Sequence, residues 1–132
     1  MDGPGMPVCK NPEAPEFFVY AFKANGRPFY VGIGRSSRAS DRVRYVRYLM
    51  AREQKGKSVK WAAHTRVMAE LIRHGIVPEL AMLASGLVRA AALAQEKLAI
   101  QRLRAEGHVL ANRHFNGGAA ITVEQVVEAV LS

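Results

Sequence analysis

The chain has 132 residues, enough to bury one hydrophobic core without help from metals or disulfides. Its only cysteine, Cys9, excludes an internal disulfide and a cysteine-based metal site, which is typical of proteins in the reducing cytoplasm. No apolar run approaches the length of a membrane span, and the N-terminus lacks a signal-peptide pattern. We therefore expect a cytoplasmic protein with no membrane partner.

The net charge of +8 is concentrated between residues 35 and 60, where nine basic residues stand against two acidic ones and carry +7 of the total. The basic residues are Arg35, Arg38, Arg42, Arg44, Arg47, Arg52, Lys55, Lys57 and Lys60. Such a surface is typical of nucleic-acid-binding proteins, because each neutralised phosphate releases condensed counterions. A merely solvated charged face is the alternative, but segregation this strong favours nucleic acid.

The first 16 residues contain four prolines, two glycines and no apolar periodicity. This composition predicts a flexible N-terminal arm. The folded part of the chain is therefore expected to begin at Phe17.

Two short apolar runs between residues 17 and 34 flank Asn25-Gly26, a strong β-hairpin signal. A two-residue loop would pair Tyr20 with Val31 and place Tyr30 on the opposite face of the sheet. A three-residue loop that includes the next residue would place both tyrosines on one face. If the two phenols act together, we expect the longer loop with a glycine bulge. An ordinary hairpin with amphipathic packing tyrosines is the alternative.

A basic helix is expected to follow, with Ser40 or Asp41 as its N-cap. Its apolar stripe is formed by Val43, Val46, Leu49 and Met50.

Ser58 is a candidate N-cap for a second helix, which Gly75 would end. Its apolar positions are Trp61, Thr65, Met68 and Ile72. His64 lies one residue off that stripe, where it either faces a site or is an exposed helix histidine. Residues 76–85 then predict a third strand, and Pro78 favours an edge position or a strand terminus.

A long helix is predicted from Leu87 to Glu106, ended by Gly107. Its apolar stripe consists of Ala92, Leu93, Ala99, Ile100 and Leu103. Glu96 falls in the middle of this stripe, and an inward carboxylate is costly unless it is paired, hydrogen-bonded or bound to a cation. Glu96 is therefore either a structural ion-pair partner of an arginine or a metal ligand.

The last segment combines a polar loop with a short terminal helix. The loop runs from His108 to Gly118 and contains Asn112, and Thr122 with Gln125 forms a capping box. The valine-rich helix that follows is expected to pack on the domain or to support a weak homodimer, so a monomer and a weak homodimer both stay open. The whole pattern predicts an α+β fold, in which the hairpin and one later strand form a small three-stranded antiparallel sheet flanked by helices.

In this order the residues resemble the GIY-YIG endonuclease superfamily. Phe18-Val19-Tyr20 stands at the first signature tripeptide and Tyr30-Val31-Gly32 at the second. The text YVGIGRSSRASDR is most similar to small bacterial proteins related to LEM-domain nucleases. The resemblance covers residues 17–118, which it implies form the nuclease domain, between the arm of residues 1–16 and the C-terminal helix of residues 119–132. Phe18 and Val31 depart from the family pattern but keep strand character.

The resemblance implies a metal-dependent endonuclease that hydrolyses phosphodiester bonds in DNA. Glu96 would hold one Mg²⁺ (or Mn²⁺). Tyr20 or Tyr30 would help to deprotonate the attacking water, its phenol made more acidic by neighbouring arginines and metal.

An arginine would neutralise the phosphate. The family alignment favours Arg38 for this role, with Arg42 as the second choice. Asn112 would hold its loop near the ion through hydrogen bonds. The residues expected to contact nucleic acid are Arg35, Arg42, Arg44, Lys60 and His64.

The substrate is expected to be DNA, including branched or damaged DNA, and RNA stays open. Two other function classes compete with the nuclease. A non-catalytic nucleic-acid-binding module would explain the basic residues but not the inward Glu96. A structural or partner-binding domain would leave the clustered arginines unexplained.

Overall fold

The computed structural model describes residues 14–35, 41–112 and 121–132, and within these it shows an α+β fold. The elements are β1 (Phe17–Ala24), β2 (Arg27–Gly34), α1 (Arg42–Gln54), α2 (Ala63–Arg73), β3 (Glu79–Leu87), α3 (Arg89–Ala105) and α4 (Val123–Leu131). The strands form one antiparallel sheet in the order β2-β1-β3. The expected three-stranded sheet flanked by helices is confirmed.

The hairpin has a two-residue turn, so the predicted three-residue loop is wrong. Asn25 and Gly26 both have positive φ angles, 53° and 73°, as a type I′ turn requires. The pairing of Ala24 with Arg27 encloses this turn.

The predicted pairing of Phe22 with Tyr30 is nevertheless present, because β2 contains a bulge. Lys23 pairs with Pro28, which leaves Phe29 as an extra residue in β2. Phe29 therefore replaces the expected glycine bulge. Beyond the bulge Tyr20 pairs with Gly32, so both tyrosines lie on one face of the sheet.

Each face of the sheet supports its own apolar cluster. The tyrosine face packs against α1, α2 and α4, and its buried members include Tyr20, Phe22, Phe29, Val46, Met68, Leu71, Val126 and Val130. The opposite face packs against α3, and its members include Val19, Ala21, Val31, Ala92, Ile100, Leu103 and Leu110. The α4 helix packs on the domain as expected.

The helix boundaries confirm some of the predicted caps and correct others. Asp41 occupies the N-cap of α1 without a side-chain capping bond, and the alternative, Ser40, lies outside the described residues. The Ser58 cap is wrong, because α2 begins only after Ala62. The capping box of Thr122 and Gln125 is present at α4.

The C-terminal ends of α2 and α3 are as predicted, since Gly75 and Gly107 adopt left-handed φ angles of 79° and 96° just beyond these helices. The third strand is an edge strand that begins directly after Pro78. In the part of the chain that the structure describes, no helix has the length and apolar character needed to cross a membrane.

The two glycines of β2 leave room for aromatic rings on β1. A Cβ atom built on Gly32 would lie 2.6 Å from the Tyr20 hydroxyl oxygen, and one on Gly34 would lie 2.8 Å from the Phe18 ring. Each glycine is the cross-strand partner of the ring above it. The glycines are therefore required for packing, since any side chain there would displace an aromatic ring from the core.

We expect Gly32→Ala to lower the free energy of unfolding by roughly 1–3 kcal/mol, because the added methyl group must displace the buried Tyr20 ring. Urea denaturation of the variant and the parent measures this loss. In a Tyr20→Leu background the same substitution should cost clearly less, because the ring that it meets is gone. An equal cost in both backgrounds would contradict the packing role assigned to Gly32.

Candidate active site

A cavity of about 420 Å³ lies beside the tyrosine face, at the outer edge of β2. It is lined by Tyr30, Ile33, Trp61, Ala62, Ala63, His64, Leu93, Glu96, Ala111 and Asn112. Residues from β2, α2, α3 and the segment after α3 thus converge on one space. Four of the sequence-predicted site residues line it: Tyr30, His64, Glu96 and Asn112.

His64 is brought to the cavity by a stacking contact. Its ring lies on the Tyr30 ring with a centroid distance of 4.1 Å and an interplanar angle of 15°. The histidine is half-buried, so its interpretation as an exposed helix histidine is wrong. His64 is the second residue of α2, so the first turn of this helix lies beside Tyr30 of β2.

A hydrogen bond from Arg42 fixes the state of His64. The guanidinium Nη1 lies 3.1 Å from His64 Nε2, and because arginine only donates, Nε2 must be the unprotonated, accepting nitrogen. Burial first, and then the Arg42 charge, lowers the pKa of His64 from 6.5 to about 4. His64 is therefore neutral at physiological pH, with its proton on Nδ1.

The two tyrosines differ in their exposure to solvent and to the cavity. Tyr20 is only 4% exposed and its hydroxyl lies over Gly32, whereas Tyr30 is half-buried and lines the cavity. Their ring centroids are 6.4 Å apart. Of the two phenols, Tyr30 is therefore the one that faces the space where a small molecule or a phosphate would sit.

Both phenols are harder to ionise than free tyrosine. Burial raises the pKa of Tyr30 to about 12; Tyr20 and Glu96 add to the rise, and Arg42 opposes it. Burial also raises the pKa of Tyr20, against the opposing charge of Arg42. Arg42 lowers both pKa values, in the direction expected of a neighbouring arginine, but among the described residues the loss of hydration outweighs its charge.

Glu96 lies on the packed side of α3 but is only half-buried. Its neighbours Ala92, Ala99 and Ile100 are buried against the sheet, as the apolar stripe predicted. Leu93, expected in that stripe, is 37% exposed, because it turns with Glu96 toward the cavity. The carboxylate therefore shares a space with Tyr30, and it is close enough to both tyrosines to raise their pKa values.

Asn112 uses its amide group to close the outer edge of β2. Its Oδ1 accepts a hydrogen bond of 2.9 Å from the Val31 N–H, and its Nδ2 donates one of 2.7 Å to the Val31 carbonyl. The neighbouring Ala111 N–H donates to the Phe29 carbonyl at 2.7 Å. Asn112 thus acts as the partner that an edge strand lacks; its expected role of holding the loop near an ion stays a prediction.

The remaining predicted residues are placed as follows. Arg42 is half-buried beside His64, and Arg44 and Lys60 are exposed. Arg35 lies 3.6 Å from a Glu16 carboxylate oxygen and 5.4 Å from the centre of the Phe17 ring. Arg38 lies outside the described residues.

Trp61 lines the cavity, although its spacing predicted a core position within a helix. It precedes α2, and its Nε1 donates to the Glu53 side chain of α1 at 3.1 Å. The bond joins α1 to the segment that leads into α2. The sequence carries no local signal for this contact, because the two residues meet only through the packing of the two helices.

A larger groove of about 690 Å³ lies elsewhere, between α2 and α4. Its walls include three carboxylates, those of Glu70, Glu124 and Glu128. Arg66 also lines this groove and Arg73 pairs with Glu70, so the carboxylates of Glu124 and Glu128 stand against one arginine there. The smaller cavity has one carboxylate, that of Glu96, and Arg42 is hydrogen-bonded to His64 in its wall. Its charge is therefore less unfavourable to an anion than that of the larger groove.

Comparisons with known proteins do not assign this site to a family. No family model, no curated protein and no solved structure matches the chain significantly.

We expect Asn112→Ala to lower the free energy of unfolding by about 2–4 kcal/mol, because it leaves the buried Val31 N–H and carbonyl groups without partners. Urea denaturation measures the loss, and amide exchange at Val31 should accelerate in parallel. Asn112→Asp, which retains the acceptor for the Val31 N–H, should protect that amide better than the alanine variant does. Unchanged stability in Asn112→Ala would contradict the edge-closing role.

The lowered pKa of His64 predicts an acid-sensitive contribution to stability. The unfolded chain binds a proton at this residue below about pH 6.5, whereas the folded protein resists binding it until about pH 4. The free energy of unfolding should therefore fall by on the order of 1–3 kcal/mol as the pH falls through this window. His64→Phe keeps a ring over Tyr30 without a titrating group.

Urea denaturation at several pH values between 4 and 8 should thus show that the free energy of unfolding falls more steeply toward acid pH in the parent than in His64→Phe. The difference between the two curves removes the contribution of other acidic groups. Parallel curves would contradict the lowered pKa. NMR of the imidazole nitrogens should independently show the Nδ1–H tautomer.

Proposed function

We propose that the protein is a metal-dependent endonuclease of the GIY-YIG type, which hydrolyses phosphodiester bonds in DNA. The observation that carries this proposal is one cavity that joins Tyr30, His64 and Glu96 beside Arg42. The cavity lies at the start of an arginine-rich helix, so a polyanion attracted to α1 would place its phosphates near these groups. The order of the tyrosine, arginine, glutamate and asparagine along the chain supports the same function.

Arg42 is the arginine that we assign to the scissile phosphate. Its guanidinium carries a permanent charge and stabilises the extra negative charge that develops as water adds to phosphorus. The hydrogen bond to neutral His64 restricts its orientation, so less freedom is lost when a phosphate binds. Arg38 stays a prediction for the same role.

Tyr30 is assigned to the attacking water. Because its pKa is about 12, the phenol is protonated near neutral pH. Its oxygen can accept a hydrogen bond from water and orient it toward the phosphorus atom, while the stacked His64 ring holds the phenol in place. Tyr20 is assigned a packing role behind it, since its hydroxyl lies over Gly32.

The donor set fits a weakly ligated magnesium ion. Glu96 supplies one carboxylate to the cavity, and among the described residues no cluster of three or more histidine, cysteine or acidic side chains forms a cage. Mg²⁺ commonly binds through one or two carboxylates, with water and substrate phosphates completing its shell. When bound, the ion would supply positive charge for the phosphate and the leaving oxygen.

The exposed basic residues are assigned to DNA binding that does not depend on base sequence. Arg44 and Lys60 are suited to contact phosphates that flank the scissile bond. Such contacts provide affinity that depends on salt rather than on base identity.

We expect the purified protein to nick supercoiled plasmid or a branched DNA duplex with Mg²⁺ or Mn²⁺, and not with chelator. Glu96→Gln should lower the rate about 100-fold or more, because the metal-dependent stabilisation is worth several kcal/mol. DNA affinity, measured in chelator, should be retained. Gel-based cleavage assays and fluorescence anisotropy provide the two measurements.

The matched control is Glu106→Gln, which makes the same charge change at the exposed C-terminal end of the same helix. It should cleave at the parental rate. Cleavage that survives in Glu96→Gln would contradict the assigned carboxylate. Salt-sensitive DNA binding without cleavage of either substrate would instead indicate a non-catalytic binding module.

A further inference from the structure

The outer face of α1 carries two large aromatic rings in contact with water. Tyr45 is 49% exposed and Tyr48 is 56% exposed, while Val46 and Leu49 on the inner side of the same helix are buried. Residues three and four positions apart are neighbours on a helix surface, so Tyr45, Tyr48 and Arg52 lie in one row. We call this row, together with the exposed Arg44 and Arg47, the tyrosine–arginine face.

The charges of this face restrict what it can bind. The Arg52 guanidinium lies 5.8 Å from the centre of the Tyr48 ring, so a cation already pairs with an aromatic surface here. Arg44 and Arg47 flank the tyrosines and are exposed. These features favour a partner that brings negative charge together with groups that pack on aromatic rings.

Unpaired bases of a nucleic acid have this combination of properties. Every base has a π face that stacks on a tyrosine ring, while its phosphate is suited to arginine. Tyr45 and Tyr48 are about 4.5 Å apart along the helix axis, so each can take a different base of one strand. Bases inside an intact duplex are covered by their neighbours and offer no such face.

We propose that the tyrosine–arginine face binds an unpaired DNA strand by stacking its bases on Tyr45 and Tyr48. The inference rests on the proposed function and deepens it, because Arg42 of the candidate site lies on the same helix. It places single-stranded DNA next to the scissile phosphate and explains why two tyrosines are left in water. The contact tolerates any sequence, since stacking does not read base edges.

The test measures binding in chelator, so that it does not depend on cleavage. The probes are a mixed-sequence single strand of about 20 nucleotides, the corresponding blunt duplex, and a strand that contains 2-aminopurine as a stacking reporter. The parent should bind the single strand more tightly than the duplex and quench the 2-aminopurine fluorescence.

The double variant Tyr45→Leu with Tyr48→Leu removes both π faces but keeps apolar bulk at each position. Because each stacked base is worth about 1–3 kcal/mol and two are lost, single-strand affinity should fall about 30-fold or more and the quenching should be lost. The matched control, Tyr45→Phe with Tyr48→Phe, keeps the rings and should retain both. Circular dichroism and urea midpoints verify that all variants are folded.

A second control separates stacking from charge. The double variant Arg44→Gln with Arg47→Gln should weaken the salt dependence of binding to single strand and duplex alike, whereas the leucine variant should leave the salt slope unchanged. This contrast assigns the base contacts to the tyrosines and the phosphate contacts to the arginines.

Equal affinity for single strand and duplex, with no loss in the leucine variant, would overturn the stacking proposal even where Glu96-dependent nicking is found. Absence of DNA binding by the parent would also overturn it. The exposed tyrosines would then be assigned to contact with a protein partner. If base stacking is lost in the leucine variant and the parent shows no nicking, the single-strand binding role of this face would be supported and the nuclease proposal would be contradicted.

Discussion

The extra residue in β2 determines where the candidate site lies. The tight Asn25-Gly26 turn alone would pair Tyr20 with Val31 and direct Tyr30 to the α3 side of the sheet. The bulge at Phe29 shifts the register by one residue, and because side chains alternate between faces, that shift moves Tyr30 to the side of α1 and α2. The fully buried Phe29 ring contributes roughly 1.5–3 kcal/mol of burial, which helps to hold this register.

Burial and charge act against each other around the cavity, and burial dominates. It raises the pKa of Tyr30 and lowers that of His64, so that both rings are neutral near pH 7. The guanidinium of Arg42 keeps its charge, because arginine does not deprotonate in proteins. Among the described residues, an entering phosphate would therefore meet the Arg42 guanidinium, two neutral polar rings and the Glu96 carboxylate, whose repulsion a bound cation would offset.

Local patterns predicted the elements well and the contacts between them poorly. The three strands, most of the helical stripes and the capping box at Thr122 follow from residue spacing within a short stretch of chain. The start of α2 does not: Ser58 is a good cap by type, yet the helix begins only at Ala63, and Trp61 before it donates a hydrogen bond to Glu53 of α1. The role of His64 depends in the same way on stacking against a strand more than 30 residues away, which no local pattern encodes.

The site forms at the edge of the sheet because two helices from opposite faces meet there. Glu96 comes from α3 on one face and His64 from α2 on the other, while Asn112 closes the β2 edge between them through Val31. A site at an edge is reached from the side, so a long polymer can bring one phosphate to it without entering the core. The proposed nuclease function requires such access, and the cationic helix α1 leads to the same edge through Arg42.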